Sequence, residues 1–190
     1  EWIYQFIYQD KASGGNLYRY LCRKKRYQKR SGVYETRGKL NKGLSIDERP
    51  KVIDNRERIG DWEVDTVIGI KTGSSLVSLV DRASRLSQFI KVETRKSNVV
   101  ASVIIEQLKS LGKPVHSITA DNGKEFSAFE LMSEKLNTAF YFAHPYSSWE
   151  RGTNENTNGL IRRFFPKRTS FDKVSQLEID TVVEQLNNRP

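Results

Sequence analysis

Carboxylates stand at three places in this chain where chemistry could use them. In "GDWEVDTVIG", Asp61, Glu63 and Asp65 alternate, so along an extended strand all three point to one face. Polar residues on the inward face of a central strand are costly unless something there engages them. In "ITADNGKEF", Asp121 closes an apolar run, and an acid just past the C-terminal end of a strand sits where α/β sheets bind ligands. In "WERGTNENTNGLIRRFFPKR", Glu155 lies between Asn154 and Asn156, about two turns into an expected helix. Arg151, Glu155 and Arg162 are spaced i−4, i and i+7, which on a helix puts them on one face with Arg162 about 10 Å along the axis. Asn154, Asn156 and Asn158 are poor helix formers, so local stability did not select them. They supply neutral donors for a backbone or a base edge. The bland alternative, an exposed helix with an Arg151–Glu155 ion pair, leaves the asparagines without a role.

Three carboxylates brought together without a cation would repel one another. Oxygen-only ligands suit Mg²⁺ or Mn²⁺, which accept one or two carboxylates each together with a phosphate oxygen. Two such ions about 4 Å apart can clamp the attacking and leaving oxygens of a phosphodiester during in-line displacement. Asp61 and Glu63 share a face with Asp65, so spacing alone leaves the choice of ligand within "DWEVD" open.

Positioning these acids requires a sheet with helices on it. "DWEVDTVIGI", "SLVSLVDRA" and "RLSQFIKVET" are β-rich runs separated by short turns, as in an antiparallel meander. "SNVVASVIIEQLKSLG" predicts a helix capped by Ser97, with positions 99, 100, 103, 104 and 108 on its apolar face and Gly112 ending it. "VHSITA" and "AFYFA" predict strands, and "SAFELMSEKLN" a helix between them. The helix of Glu155 is expected to begin near Ser147, with "SSWE" as a capping box, and "VSQLEIDTVVEQLNN" to form a last amphipathic helix. The order βββ-α-β-α-β-α-α predicts an α/β domain with a mixed five-stranded sheet and helices on both faces.

Three of these blocks, "GDWEVDTVIG", "ITADNGKEF" and "WERGTNENTNGLIRRFFPK", resemble the catalytic blocks of IS30-family bacterial transposases, over about residues 46–190. The resemblance implies a retroviral-integrase-like, RNase H-like domain whose DDE triad is Asp65, Asp121 and Glu155, with 33 residues between the last two and Arg162 as the basic position after the Glu. It implies metal-dependent cleavage at transposon ends, followed by strand transfer from the freed 3′-hydroxyl. The implied cofactor is Mg²⁺ (or Mn²⁺). The implied partners are the terminal inverted repeats and target DNA, with a homo-oligomer in the synaptic complex. A nuclease of the same fold, and a non-catalytic DNA-binding module, are the rival readings.

Charge agrees with a polyanionic partner. The net charge is +9, with 12 Lys/Arg against 5 Asp/Glu in residues 1–50 and 20 against 18 in the remainder. "RYLCRKKRYQKR", with Arg23, Lys24, Lys25 and Arg26 at its centre and tyrosines among its bases, is a nucleic-acid footprint. Residues 1–50 are therefore expected to be a basic helical arm and linker, and residues 51–190 the catalytic domain. "EWIYQFIYQDK" predicts a short helix, "NLYRYLCRKKRYQ" a second helix or an extended arm, and residues 31–58 a linker or a surface-hugging arm. The chain opens on Glu1 and stops in a helical pattern, so it reads as a fragment, without the upstream helix-turn-helix that the resemblance implies and cut within its catalytic domain. A single cysteine, Cys22, points to a cytoplasmic protein, and with only His116 and His144 beside it a zinc finger is excluded in these residues. No run is long and apolar enough for a membrane span.

Other residues have simpler readings. Asp81 is expected to pair Arg82 or Arg85 in a turn, His144 to be structural, and Trp62 and Trp149 to lie in the core. Asn154, Asn158, Arg151, Arg162, Lys167 and Arg168 are expected to meet DNA, Arg162 through a phosphate.

Overall fold

The computed structural model describes residues 2–21, 43–70, 73–145 and 147–189. The chain divides into two compact units, residues 1–38 and 39–190. In the first, α1 (Trp2–Ala12) is followed by a 3-10 turn, Leu17–Tyr20. Asp10 accepts the Leu17 N–H at 3.1 Å, and Lys11 lies 4.2 Å from the Tyr18 ring centroid, so this unit is closed by local contacts. The basic run holding Arg23, Lys24, Lys25 and Arg26 lies outside the described residues.

The second unit is built on one mixed sheet. Its strands are β1 (Leu44–Ser45), β2 (Asp61–Ile68), β3 (Ser75–Asp81), β4 (Ser87–Val92), β5 (Ser117–Ala120) and β6 (Ala139–Phe142), in the order β1-β6-β5-β2-β3-β4. The β2–β3–β4 meander is antiparallel, whereas β5 joins β2, β6 joins β5 and β1 joins β6 in parallel. The α/β class, the meander and the order of elements agree with the sequence reading. The strand count does not: there are six, because Leu44 and Ser45 pair with Tyr141 and Phe142. A two-residue strand carries no periodicity to read. Residues 43–58 accordingly hold ordered elements rather than a linker, with Ile46 and Ile53 buried and the four-residue helix α2 at Lys51–Asp54.

Alternation along β2 divides its side chains between two cores. Trp62 and Val64 pack with Val77, Leu79 and Ile118 against α3 (Ser97–Ser110) and α4 (Phe129–Leu136). On the opposite face Val67 packs with Leu76 and Phe89 against Ile161 of α5 (Gly152–Phe164) and Ile179 and Val183 of α6 (Gln176–Asn187). The face that carries Asp61, Glu63 and Asp65 is thus the α5 face. Burying each such aliphatic side chain stabilises by about 1.5–3 kcal/mol, which is why a sheet of this kind is covered on both sides.

Two details of the helices differ from expectation. Ser97 is the first residue of α3 rather than its cap; Lys96 holds the extended cap position and makes no side-chain cap bond. The face of α3 is also rotated, with Val100, Ala101, Ile104 and Leu108 buried and Val99 exposed. Among the described residues no helix is long and apolar enough to cross a membrane.

Candidate active site

Each acid of β2 meets a different partner, and this separates them. Asp61 is buried and receives two hydrogen bonds from Arg58, at 2.9 and 3.1 Å, and one from Ser117 Oγ at 2.7 Å. Glu63 is completely buried. One of its oxygens pairs with the buried Arg82, and the other accepts the Asn154 N–H at 2.8 Å. Both acids are neutralised by arginines and have structural work. Asp65 has no such dedicated partner. It is part-open, and it faces Asp121.

Asp121 reaches that position because β5 runs parallel to β2, with Thr119 beside Glu63, and ends where the β2 acids face outward. The loop after it is tightly held. Gly123 donates to Asp121 Oδ1 at 2.9 Å, and a Cβ at Gly123 would lie 2.8 Å from the same oxygen, so a larger residue there would push the carboxylate aside. Asn122 Nδ2 ties the loop to Ala143 O of the segment after β6 at 2.7 Å.

One guanidinium serves both carboxylates. Arg151 Nη1 lies 3.5 Å from Asp65 Oδ2, and Nη2 donates to Asp121 Oδ2 at 3.3 Å. Nη1 also donates to Val64 O at 3.2 Å, and Arg151 is only 8% exposed. Burial pushes the Asp65 carboxyl above its ordinary pKa, Arg151 opposes that shift, and the charges of Asp121 and Glu125 add to it. The pair therefore favours a cation, and its oxygen donors are of the kind that hard divalent ions take. The expectation that Arg151 shares a helical face with Glu155 and meets DNA is corrected here. Residues 148–151 form a 3-10 turn, and α5 starts only at Gly152, so helical spacing does not apply across them.

The rest of α5 is partly as expected. Glu155 lies in its first turn, not its second, and is exposed, with no hydrogen bond or ion pair among the described residues. No three His, Cys, Asp or Glu side chains among the described residues converge as a metal cage. Asn154 is corrected from DNA contact to anchor. It is 0% exposed, held by Glu63 through its N–H and by Ser78 Oγ at 3.0 Å through its side-chain oxygen. Asn158 turns inward too, its Nδ2 donating to Asp65 Oδ2 at 3.0 Å. Arg162 donates to Ile68 O at 2.5 Å and is half-buried, and burial lowers its pKa. Lys167 and Arg168 are exposed in the turn after α5, where DNA could reach them.

Three further expectations meet corrections. Among the described residues Asp81 pairs with no arginine. It accepts the Gly60 N–H at 2.7 Å and the Ser84 N–H and Oγ at 2.7 and 2.6 Å, fixing the turns at that end of β2 and β3. "SSWE" makes no capping box at Ser147, because Glu150 reaches back instead to the His144 N–H at 2.8 Å and its Nδ1 at 2.9 Å. With Asp47 at 3.0 Å on its other nitrogen, His144 is structural, and the bond and charge of Glu150 raise its pKa. Trp62 is in the core as expected, whereas Trp149 is 72% exposed. Sequence reasoning missed Glu125, which accepts from Thr66 Oγ1 at 2.9 Å beside Asp65, and the buried role of Arg82. A buried acid on a central strand demands a cation, and that signal could have found Arg82.

In fold the domain is like the catalytic cores of retroviral integrases. It superposes on the catalytic core domain of BIV integrase with a TM-score of 0.54 at 17% identity, covering 69% of this chain and 85% of that one. A chain of a simian T-cell lymphotropic virus intasome gives a TM-score of 0.50 at 21% identity, covering 67% of this chain and 46% of that one. No protein-family model matches the chain. In sequence it is 42% identical over its whole length to the transposase for insertion sequence element IS4351 of Bacteroides fragilis. It is 40% identical over 99% of its length to the probable transposase for insertion-like sequence element IS1161 of Streptococcus salivarius. To the transposase InsI for insertion sequence element IS30A of Escherichia coli (strain K12) it is 41% identical over 81% of its length. The chain belongs to the IS30 family of insertion-sequence transposases. It spans 59%, 53% and 41% of those three relatives' own lengths.

Proposed function

We propose that this chain is the catalytic portion of a DNA transposase, with Asp65, Asp121 and Glu155 as its DDE triad. The observation that carries the reading is the convergence of Asp65 and Asp121 on a single cationic group, Arg151. Two carboxylates from adjacent strands that share one cation are a fitting pair for a hard divalent ion, with Glu155 one residue beyond the anchored Asn154 as the third ligand. When bound, Mg²⁺ or Mn²⁺ supplies Lewis-acid activation of the attacking oxygen and charge stabilisation at the leaving one. The protein contributes no covalent nucleophile. Its carboxylates hold charge and position, Glu63 fixes α5 against β2, and Lys167, Arg168 and the basic run from Arg23 to Arg26 bind the DNA backbone.

Hydrolysis at the transposon end adds water across one phosphodiester, leaving a 3′-hydroxyl and a 5′-phosphate; in strand transfer that hydroxyl bonds the phosphorus of a target phosphodiester and the target's own 3′-oxygen leaves as a hydroxyl. The substrates are accordingly the terminal inverted repeats and target DNA, and the synaptic complex is a homo-oligomer. Residues 39–190 are the catalytic domain in this proposal, and the basic residues before them its DNA-facing arm. The test is an assay of the full-length protein on end-labelled transposon-end duplex with Mg²⁺ and a second, unlabelled duplex. Nicked ends followed by joined products are expected. Cleavage without joining would identify a nuclease, and neither reaction would identify a binding module.

A further inference from the structure

Arg151 is placed unlike a DNA-binding arginine. Its side chain is buried, it satisfies a main-chain carbonyl at Val64, and it divides its charge between Asp65 and Asp121. Its Nε is buried and has no hydrogen-bond partner among the described residues, so the guanidinium accepts a desolvation cost to stay between the two acids. It is held there from a short turn whose preceding residue, Glu150, is tied to His144, so the chain on its N-terminal side is anchored. On its C-terminal side Asn154 is anchored to Glu63 and Ser78. Arg151 thus hangs from a pinned segment with its charge aimed at the space between two carboxylates. A divalent ion held by Asp65 and Asp121 needs the same oxygens and repels the same positive charge.

We propose that Arg151 is a resident counter-cation that positions Asp65 and Asp121 in the metal-free protein and must be displaced when a divalent ion enters. The proposal rests on Asp65 and Asp121 being metal ligands. It gives Arg151 two effects of opposite sign: it stabilises the empty carboxylate pair, and it weakens metal binding by competing for it. A merely structural arginine would do only the first, and its loss would loosen the metal site rather than tighten it.

The test titrates Mn²⁺ into the chain and follows the free ion by electron paramagnetic resonance. Arg151→Met keeps the length of the side chain and removes its charge. It is expected to bind the first Mn²⁺ about tenfold more tightly than the wild type, with Arg151→Lys between the two. The melting temperature of Arg151→Met should be lower without metal, and Mn²⁺ should raise it by more than it raises that of the wild type. Equal or weaker Mn²⁺ binding by a folded Arg151→Met would overturn the proposal while leaving the metal site standing. If neither protein binds Mn²⁺, the metal reading falls and the proposal with it. If Arg151→Met does not fold, the wild type alone decides. On titration with diamagnetic Mg²⁺, the Arg151 Nε–H resonance should shift and exchange faster with water, with the midpoint of metal binding. A resonance that stays unchanged at saturation would overturn the proposal.

Discussion

Asp65→Asn is expected to lower metal-dependent DNA cleavage by well over a hundredfold while leaving DNA affinity within about a factor of two. Outer-shell partners of a metal typically contribute 10–100-fold, so loss of a ligand charge should exceed that range. The substitution is nearly isosteric, and the buried arginine that Asp65 faces, Arg151, keeps Asp121 as its ion-pair partner. The defect should therefore lie in turnover, not in binding or folding. Asp61→Asn and Glu63→Gln should keep more activity once corrected for the fraction folded, because each of those acids is satisfied by protein groups. A folded Glu63→Gln protein as inactive as Asp65→Asn would show that the wrong acid of "DWEVD" has been chosen.

The largest expected loss of stability comes from Arg82→Met. Arg82 is buried and pairs with the fully buried Glu63 while its Nε donates to Ile53 O at 3.1 Å. Burial lowers its pKa and the neighbouring Glu63 charge acts against that shift, as for a cation held inside by its partner. Removing one member of such a pair leaves the other charged and unpaired, which costs about 3–5 kcal/mol. Total stability is typically about 5–15 kcal/mol, so the variant should be marginal at best. Urea unfolding measures the loss. The double variant Glu63→Gln with Arg82→Met should recover most of it, since no buried charge remains and the glutamine oxygen can still accept from Asn154. A single variant within about 0.5 kcal/mol of wild type would mean that this pair is not buried in solution.

The pairing of Arg82 with Glu63 leaves no periodic mark in the sequence, whereas the strands do. The strands were legible because β2 to β6 each carry an apolar pattern that only a sheet satisfies. The alternation of Asp61, Glu63 and Asp65 correctly put three acids on one face, opposite the face of Trp62 and Val64. Asp121 was legible because it directly follows a short buried strand, Ser117–Ala120. Periodicity failed where the chain is not periodic. Arg151 was placed by counting four residues back from Glu155, but its backbone has φ −117 and ψ 40, outside the helix, so its side chain leaves in another direction. Asn154 was read as a surface donor because its type disfavours helices; in fact that same side chain is what the buried Ser78 needs as an acceptor. Trp149 was assigned to the core on residue type alone, and β1 was too short to leave any pattern.

The central claim is that Asp65, Asp121 and Glu155 form one metal-binding site acting on DNA. The most direct measurement is a crystal structure of the protein with Mn²⁺ and a transposon-end duplex, with the metal located by its anomalous signal. Mn²⁺ should bind oxygens of Asp65 and Asp121, with Glu155 turned in from its exposed position as a further ligand and a scissile phosphate against the metal. Mn²⁺ held by Asp65 and Asp121 while Glu155 remains in solvent would contradict the triad. Mn²⁺ bound elsewhere, with Arg151 still joining Asp65 and Asp121, would contradict the site itself.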